Sequence, residues 1–316
     1  EQAPEQGQFF RPGTIAARLY TVARFGGVEK YRKHITRDMD YLVRAQYDTG
    51  GWSSVSWTTQ AEPASTTPPD HRTTFAVMYA LREATFAGVD APSKVWRNTI
   101  QYWATAQSDL RSGGFRHKLE QYGGLSENVS DEYTAIGLTG LMLSLEMASG
   151  PGSRDCKQFL AHKPVLKGID AAARWLEERY GDEYAGQIMQ QLDRAELLDP
   201  VTRLWHFQAL RDISGIPRFN DKDYFRLEAE VLFDPQRGLY DFGSGQFAGG
   251  ALATANCMEA FSKGASPTVL QRLVVGEGPE ARAYEHSWDA QHATRYMMAQ
   301  RKRPLNWRRS SIDHDV

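Results

Sequence analysis

One phrase, written twice, constrains this chain more than any other feature. The first copy is Tyr41-Leu42-Val43-Arg44-Ala45-Gln46-Tyr47-Asp48-Thr49-Gly50-Gly51-Trp52. The second is Tyr102-Trp103-Ala104-Thr105-Ala106-Gln107, a short spacer, then Gly113-Gly114-Phe115. Each reads as a helix ending in a glutamine, then a turn, a Gly-Gly pair and an aromatic ring. A phrase recurring at about 60 residues marks a repeat architecture, in which each unit buries its apolar face on its neighbours. The glutamine side chain can hold backbone groups at the start of the next outer helix, with the ring stacked against it. Gly-Gly permits the tight backbone between them. Gln46, Trp52, Gln107 and Phe115 are therefore assigned a structural role.

The segments between the phrases read as helices. Residues 1–13 are a polar lead-in. Thr14 is the expected N-cap of a helix stopped by Gly26-Gly27. Val28, Tyr31, Ile35, Met39 and Leu42 then make one apolar stripe, with Lys30, Arg32, Lys33 and Arg37 off it. Residues 53–71 form a long polar loop. Phe75 to Leu81 is apolar all round and reads as an inner helix. Pro92 starts an amphipathic helix with Trp96, Ile100 and Trp103 on one side. Residues 131–148 are inner again, with Ala135, Gly137 and Gly140 allowing close approach. Residues 165–180 are outer, 201–214 inner, 221–233 outer and 251–262 inner, and a last helix spans about 287–300. No segment shows the two-residue alternation of a strand. The expected fold is all-α: an α/α toroid of about five to six inner/outer helix pairs over residues 14–300. Residues 301–316 are then a basic tail, at the start of a linker to a missing second domain.

The residues Leu42-x-x-x-Gln46-x-x-x-Gly50-Gly51-Trp52 resemble the QW repeat of squalene-hopene and oxidosqualene cyclases and of protein prenyltransferase β subunits. Trp103-x-x-x-Gln107 with Gly113-Gly114-Phe115 is a looser copy, with Phe for Trp. The chain also resembles uncharacterised bacterial proteins that join prenyltransferase-like repeats to a C-terminal domain of unknown function. That likeness rests on Asp70-His71-Arg72-Thr73-Thr74-Phe75-Ala76, Thr134-Ala135-Ile136-Gly137-Leu138, Leu204-Trp205-His206-Phe207-Gln208-Ala209-Leu210-Arg211 and the stretch from Ala260 to Leu270. The resemblance implies a central cavity for an elongated apolar or isoprenoid ligand. It does not carry over the chemistry. The cyclase acid motif Asp-x-Asp-Asp is reduced to Asp38-Met39-Asp40-Tyr41, on an outer helix where the carboxylates should be solvated. The prenyltransferase zinc pattern Asp-x-Cys is absent, since Asp155 and Cys156 are adjacent.

Other classes are narrowed by composition and motif. A net charge of −2 over 316 residues gives no basic field for nucleic acid. No apolar run reaches the ~20 residues that span a bilayer. Two distant cysteines, Cys156 and Cys257, neither make a zinc site nor demand a disulfide, and neither a metal nor a cofactor is expected. Gly243-Ser244-Gly245-Gln246-Phe247-Ala248 fits a dinucleotide fingerprint only literally, without a βαβ unit. Asn128-Val129-Ser130 is a glycosylation sequon only in a secretory host. Glu1 in place of an initiator Met fits a removed signal peptide, and so a periplasmic or envelope location, and equally a trimmed chain.

What remains is position. In a toroid the cavity opens at the N-terminal ends of the inner helices, where free N–H groups and the helix dipole favour polar ligands. Asp131, Glu132 and Asp70 are the candidate catalytic acids. His71, Arg72, Tyr133, Arg203, Trp205, His206, Gln246, Trp288, Asp289 and His292 are the candidate ligand-binding residues. The alternatives are structural: Asp70 and Asp131 as helix caps, Arg203 paired with an acid, His206 as a satisfied core histidine. Three functions stay open: an isoprenoid-binding or cyclase-like toroid, a protein-binding scaffold, and a carbohydrate-active α/α barrel with two carboxylates about 5–10 Å apart.

Overall fold

The computed structural model describes residues 9–26, 28–54, 56–57, 68–107, 112–116, 129–149, 163–180, 200–214, 216, 218–220, 222–227, 240–241, 246–247, 268–275 and 282–289. The expected inner helix at 251–262, both cysteines, the sequon's Asn128 and the tail lie outside these residues.

The architecture is all-α. Its helices are α1 (Pro12–Phe25), α2 (Val28–Arg44), α3 (His71–Phe86), α4 (Ser93–Ala106), α5 (Asp131–Ser149), α6 (Lys163–Arg179) and α7 (Pro200–Ser214). Residues 224–227 are helical as well. They form two layers. In the inner one α1 packs on α3, α3 on α5 and α5 on α7. In the outer one α2 lies on α1 and α3, and α4 and α6 lie on α5. Patterning explains the assignment. Ile35, Met39 and Leu42 of the α2 stripe are buried, whereas Lys30, Arg32 and Lys33 are exposed and Arg37 is half-exposed. Residues 131–147 of α5 are buried without a break, because their apolar and small side chains offer no wet face.

Three expectations need correction. The first helix begins two residues before Thr14: Pro12 takes the first turn after Arg11, which makes no side-chain cap bond. Pro suits that position because its missing N–H would be unsatisfied there anyway. Asp38 is not solvated. It is 3% exposed, and Arg18 grips it with two bonds of 2.7 and 2.8 Å. The stretch expected to lack strands contains an antiparallel hairpin. It pairs β5 (Thr268–Val275) with β6 (Arg282–Asp289), in the order of chain numbering after two-residue pairs β1 (Phe9–Phe10) with β2 (Ser56–Trp57) and β3 (Tyr240–Asp241) with β4 (Gln246–Phe247). Residues 287–289 are strand rather than helix. The missed signal is Tyr284, His286 and Trp288, aromatic residues at every second position.

The two phrases fold alike. Gln46 Nε2 donates to Gly50 O in its own turn (3.0 Å) and to Val95 O in α4 (3.1 Å). Gln107 Nε2 donates to Gly113 O (2.9 Å) and to Gly168 O in α6 (2.9 Å). Each glutamine thus straps its helix to the next outer helix. Both turns pass through left-handed glycines, Gly50 at φ 91° and Gly113 at φ 73°. The ring that follows enters the core. Trp52 Nε1 donates to Leu42 O (2.7 Å), and Phe115 lies over Gly137, where a Cβ would come within 2.4 Å of the ring. Gly140 receives Trp103 in the same way, at 2.3 Å.

A second element of the repeat is invisible in the phrase itself. The N–H of Trp52 donates to Thr74 Oγ1 (2.9 Å), and that of Phe115 to Thr134 Oγ1 (3.1 Å). The carbonyls of the same two residues accept from Asp70 N (3.0 Å) and Ser130 N (3.2 Å). Each aromatic residue is therefore stapled to the start of the following inner helix.

Candidate functional site

The inner layer sets α3, α5 and α7 side by side, and the polar residues of their first turns meet. Asp70 caps α3, accepting from Thr73 N at 2.8 Å. In α5 the capping bond comes from Ser130, whose Oγ accepts from Tyr133 N at 3.1 Å. This displaces the expectation for Asp131, which sits one position inside. Its carboxylate is taken up by Arg203 of α7 through two bonds, 3.0 and 2.7 Å. Both side chains are buried, at 3% and 4% exposure. Such a pair is geometrically strong, since the planar guanidinium matches the carboxylate edge.

Glu132 is the hub. Arg72 Nη2 reaches both of its oxygens, at 2.7 and 2.9 Å. His206 Nδ1 meets Oε1 at 2.9 Å. Arg72 also lies over the Tyr133 ring, 5.5 Å from its centre. His71 turns away from this group, with Nδ1 2.7 Å from the Tyr102 hydroxyl and its ring among Trp103, Phe115 and Tyr133.

The charges follow from this geometry. Burial works to raise the Glu132 pKa. The His206 hydrogen bond and the positive charges around it outweigh burial, so the carboxyl is held below its ordinary range. Burial also dominates at His206, whose pKa falls below its ordinary value despite Glu132. Glu132 is thus ionised and His206 neutral near pH 7. Burial likewise raises the Tyr133 phenol. As an ionised group, Glu132 has no proton to donate.

Stability should follow the same two groups. Above pH 6.5 His206 is neutral folded or unfolded. As the pH drops below 6.5, the unfolded chain takes up that proton first, so folding weakens until the lower folded pKa is passed. Glu132 adds a second loss, starting near 4.5 and continuing to its own lower folded pKa. The melting temperature should therefore fall in two stages between pH 7 and 3. In Glu132→Gln the later stage should shrink. A pH-independent melting temperature over that range would contradict the charge assignment.

Beside the cluster runs a wall of rings. Tyr20 stacks on Tyr79 at 5.6 Å, and Tyr79 on Phe75 at 5.7 Å. Trp205 meets Phe75 edge-on at 5.4 Å and Tyr79 at 5.5 Å. His206 lies 5.6 Å from Phe75. Tyr20, Arg72, Ala76 and Trp205 are all partly exposed, whereas Phe75 and Tyr79 between them are fully buried.

Sequence reasoning missed a second polar layer further along the inner helices. Arg82 Nε faces Glu146 Oε2 at 3.4 Å, its guanidinium 4.6 Å from the Phe86 ring. Burial opposes its charge, but Glu146, Tyr79, Glu83 and Asp212 outweigh it and raise the pKa. Arg24 meets Glu83 at 3.5 Å, and Gln208 donates to Asp212 at 2.6 Å. The available signal was a charge inside a helix without a wet face, which requires a partner.

Of the remaining candidates, Trp288 and Asp289 lie in β6, which packs on α7. The backbone of Gln246 lies in β4 opposite Asp241, and those of Trp288 and Asp289 lie in β6 opposite Val269 and Thr268. His292 is outside the described residues. Among the described residues no group of three or more His, Cys, Asp or Glu could hold a metal ion, and no helix is long and apolar enough to cross a membrane. The chain matches no model of a known protein family, and no curated protein matches it.

Proposed function

We propose that the chain is a terpene-cyclase-like, prenyltransferase-like α/α toroid that binds an elongated apolar ligand of isoprenoid type against the ring wall. The observation that carries this is the aromatic wall. Tyr20, Phe75, Tyr79 and Trp205 form a continuous run of rings, buried at Phe75 and Tyr79 and partly exposed at its ends, Tyr20 and Trp205. Rings supply large apolar area at low conformational cost. The Arg72–Glu132–His206 cluster sets a polar end to that face. The two-layer helix array and the strapped glutamines support closure of the layers into a ring, with this face lining the centre.

The charge assignment favours binding over cyclisation. A cyclase-type start requires a protonated acid, and Glu132 is ionised. A glycan-cleaving site requires two carboxylates free for acid and base roles. Here Asp131 and Glu132 are each committed to an arginine.

Titration of the intrinsic tryptophan fluorescence with farnesol and geranylgeraniol tests the reading. Saturable quenching is expected. Trp205→Ala should weaken it about tenfold, or ~1.4 kcal/mol. Absence of saturable binding to either alcohol, or unchanged affinity in Trp205→Ala, would refute it.

A further inference from the structure

We infer that His206, oriented by Glu132, is a general base that activates water against an ester whose apolar chain lies on the ring wall. The inference rests on the binding reading for the chain's location and goes beyond it in assigning a reaction.

The geometry fixes the proton first. An ionised carboxylate only accepts, so the hydrogen between His206 and Glu132 Oε1 sits on Nδ1. The other ring nitrogen, Nε2, then carries a bare lone pair. A histidine held by a carboxylate through one nitrogen and basic at the other is the arrangement that hydrolytic chemistry uses. His206 also stays neutral where water activation needs it, because burial among Phe75 and Trp205 outweighs the pull of Glu132. The charged groups facing it are Glu132 from α5, Arg72 from α3 and Arg203 from its own helix.

The second part is a donor. Arg72 Nη2 and His206 Nδ1 bond the same oxygen, Glu132 Oε1, so the two side chains are neighbours. Arg72 Nε is buried and makes no hydrogen bond among the described residues. A buried, unsatisfied cationic N–H is costly to keep, and it suits an oxygen that gains negative charge during reaction.

The step balances without a co-reactant. Water gives its proton to His206 Nε2 as its oxygen bonds to the acyl carbon. The carbonyl electron pair moves onto the oxygen facing Arg72 Nε–H. That pair returns, the C–O bond to the leaving group breaks, and the departing alkoxide takes the proton back from His206. Ester and water become acid and alcohol. Glu132 acts through His206 and is a positioning residue.

Hydrolysis of p-nitrophenyl butyrate and p-nitrophenyl decanoate by the full chain provides the test, beside geranylgeraniol binding on the same samples. Turnover above buffer is expected, faster for decanoate, and at least about 100-fold lower in His206→Gln. Below neutrality the wild-type rate should fall as His206 is protonated. In Glu132→Gln that inflection should move and the rate should drop. Retained geranylgeraniol binding with no ester turnover would overturn the inference and leave the binding reading standing. Turnover unaffected by His206→Gln would overturn it as well. Loss of both binding and turnover in the wild-type chain would remove both. Should His206→Gln fail to fold, the wild-type pH profile decides: a rate that does not fall at any acidity at which the chain stays folded excludes a histidine base.

Discussion

Alanine at Gly50 or Gly113 should each cost roughly 3–5 kcal/mol, combining a left-handed backbone penalty with overpacking. A Cβ at Gly50 would fall 1.9 Å from Asn98 O, and one at Gly113 would fall 2.1 Å from Ala171 O. Neither obstacle is a side-chain tip that could swing aside. Each is the backbone of the next outer helix. Because the two turns are copies, the two losses should be similar. Gly13 supplies the control: a Cβ there meets nothing within 4 Å, and its helix should gain rather than lose from alanine. Urea unfolding of the three variants checks this. Losses below 1 kcal/mol at both turn glycines would mean that the turns are not clamped as described.

Arg203→Ala should be comparably damaging, at about 3–5 kcal/mol, because it strands the buried Asp131 carboxylate. The lost packing over Phe207, 5.1 Å from the guanidinium, adds to this. Removing both charges should be milder than removing one. Arg203→Met with Asp131→Leu is therefore expected to recover much of the loss, since no bare charge remains. A double variant as unstable as Arg203→Ala would show that the pair does more than neutralise itself. Thermal or urea denaturation of the single and double variants measures the difference directly.

The layering was legible in the sequence because it depends on local periodicity. The stripe from Val28 to Leu42 and the dry run from Phe75 to Leu81 each announce their surroundings. The glutamine straps were legible in kind, since Gln46 and Gln107 recur in the same frame. Their partners were not. Val95 and Gly168 accept through backbone carbonyls, so any residue type could occupy those positions. Thr74 and Thr134 could have been found, as each sits four residues beyond its cap, Asp70 or Ser130. The gathering of Asp131, Glu132, Arg72, Arg203 and His206 was inferred from fold position alone. Who pairs with whom was beyond the pattern: Asp131 and Glu132 are adjacent in sequence, yet each binds a different arginine from a different helix. The Arg82–Glu146 layer went unseen because a lone charge in an apolar run looks like an interruption. The hairpin at 268–289 went unseen because its first strand, Thr268–Val275, does not alternate cleanly.

The staples between Trp52 and Asp70, and between Phe115 and Ser130, have an evolutionary corollary. Each pinches together the two ends of a connection. Lengthening such a span is thermodynamically cheap, about 0.6 kcal/mol for each doubling. The chain thus holds two ready-made splice points, where foreign sequence could be grafted and diversified while the pinched ends hold the framework.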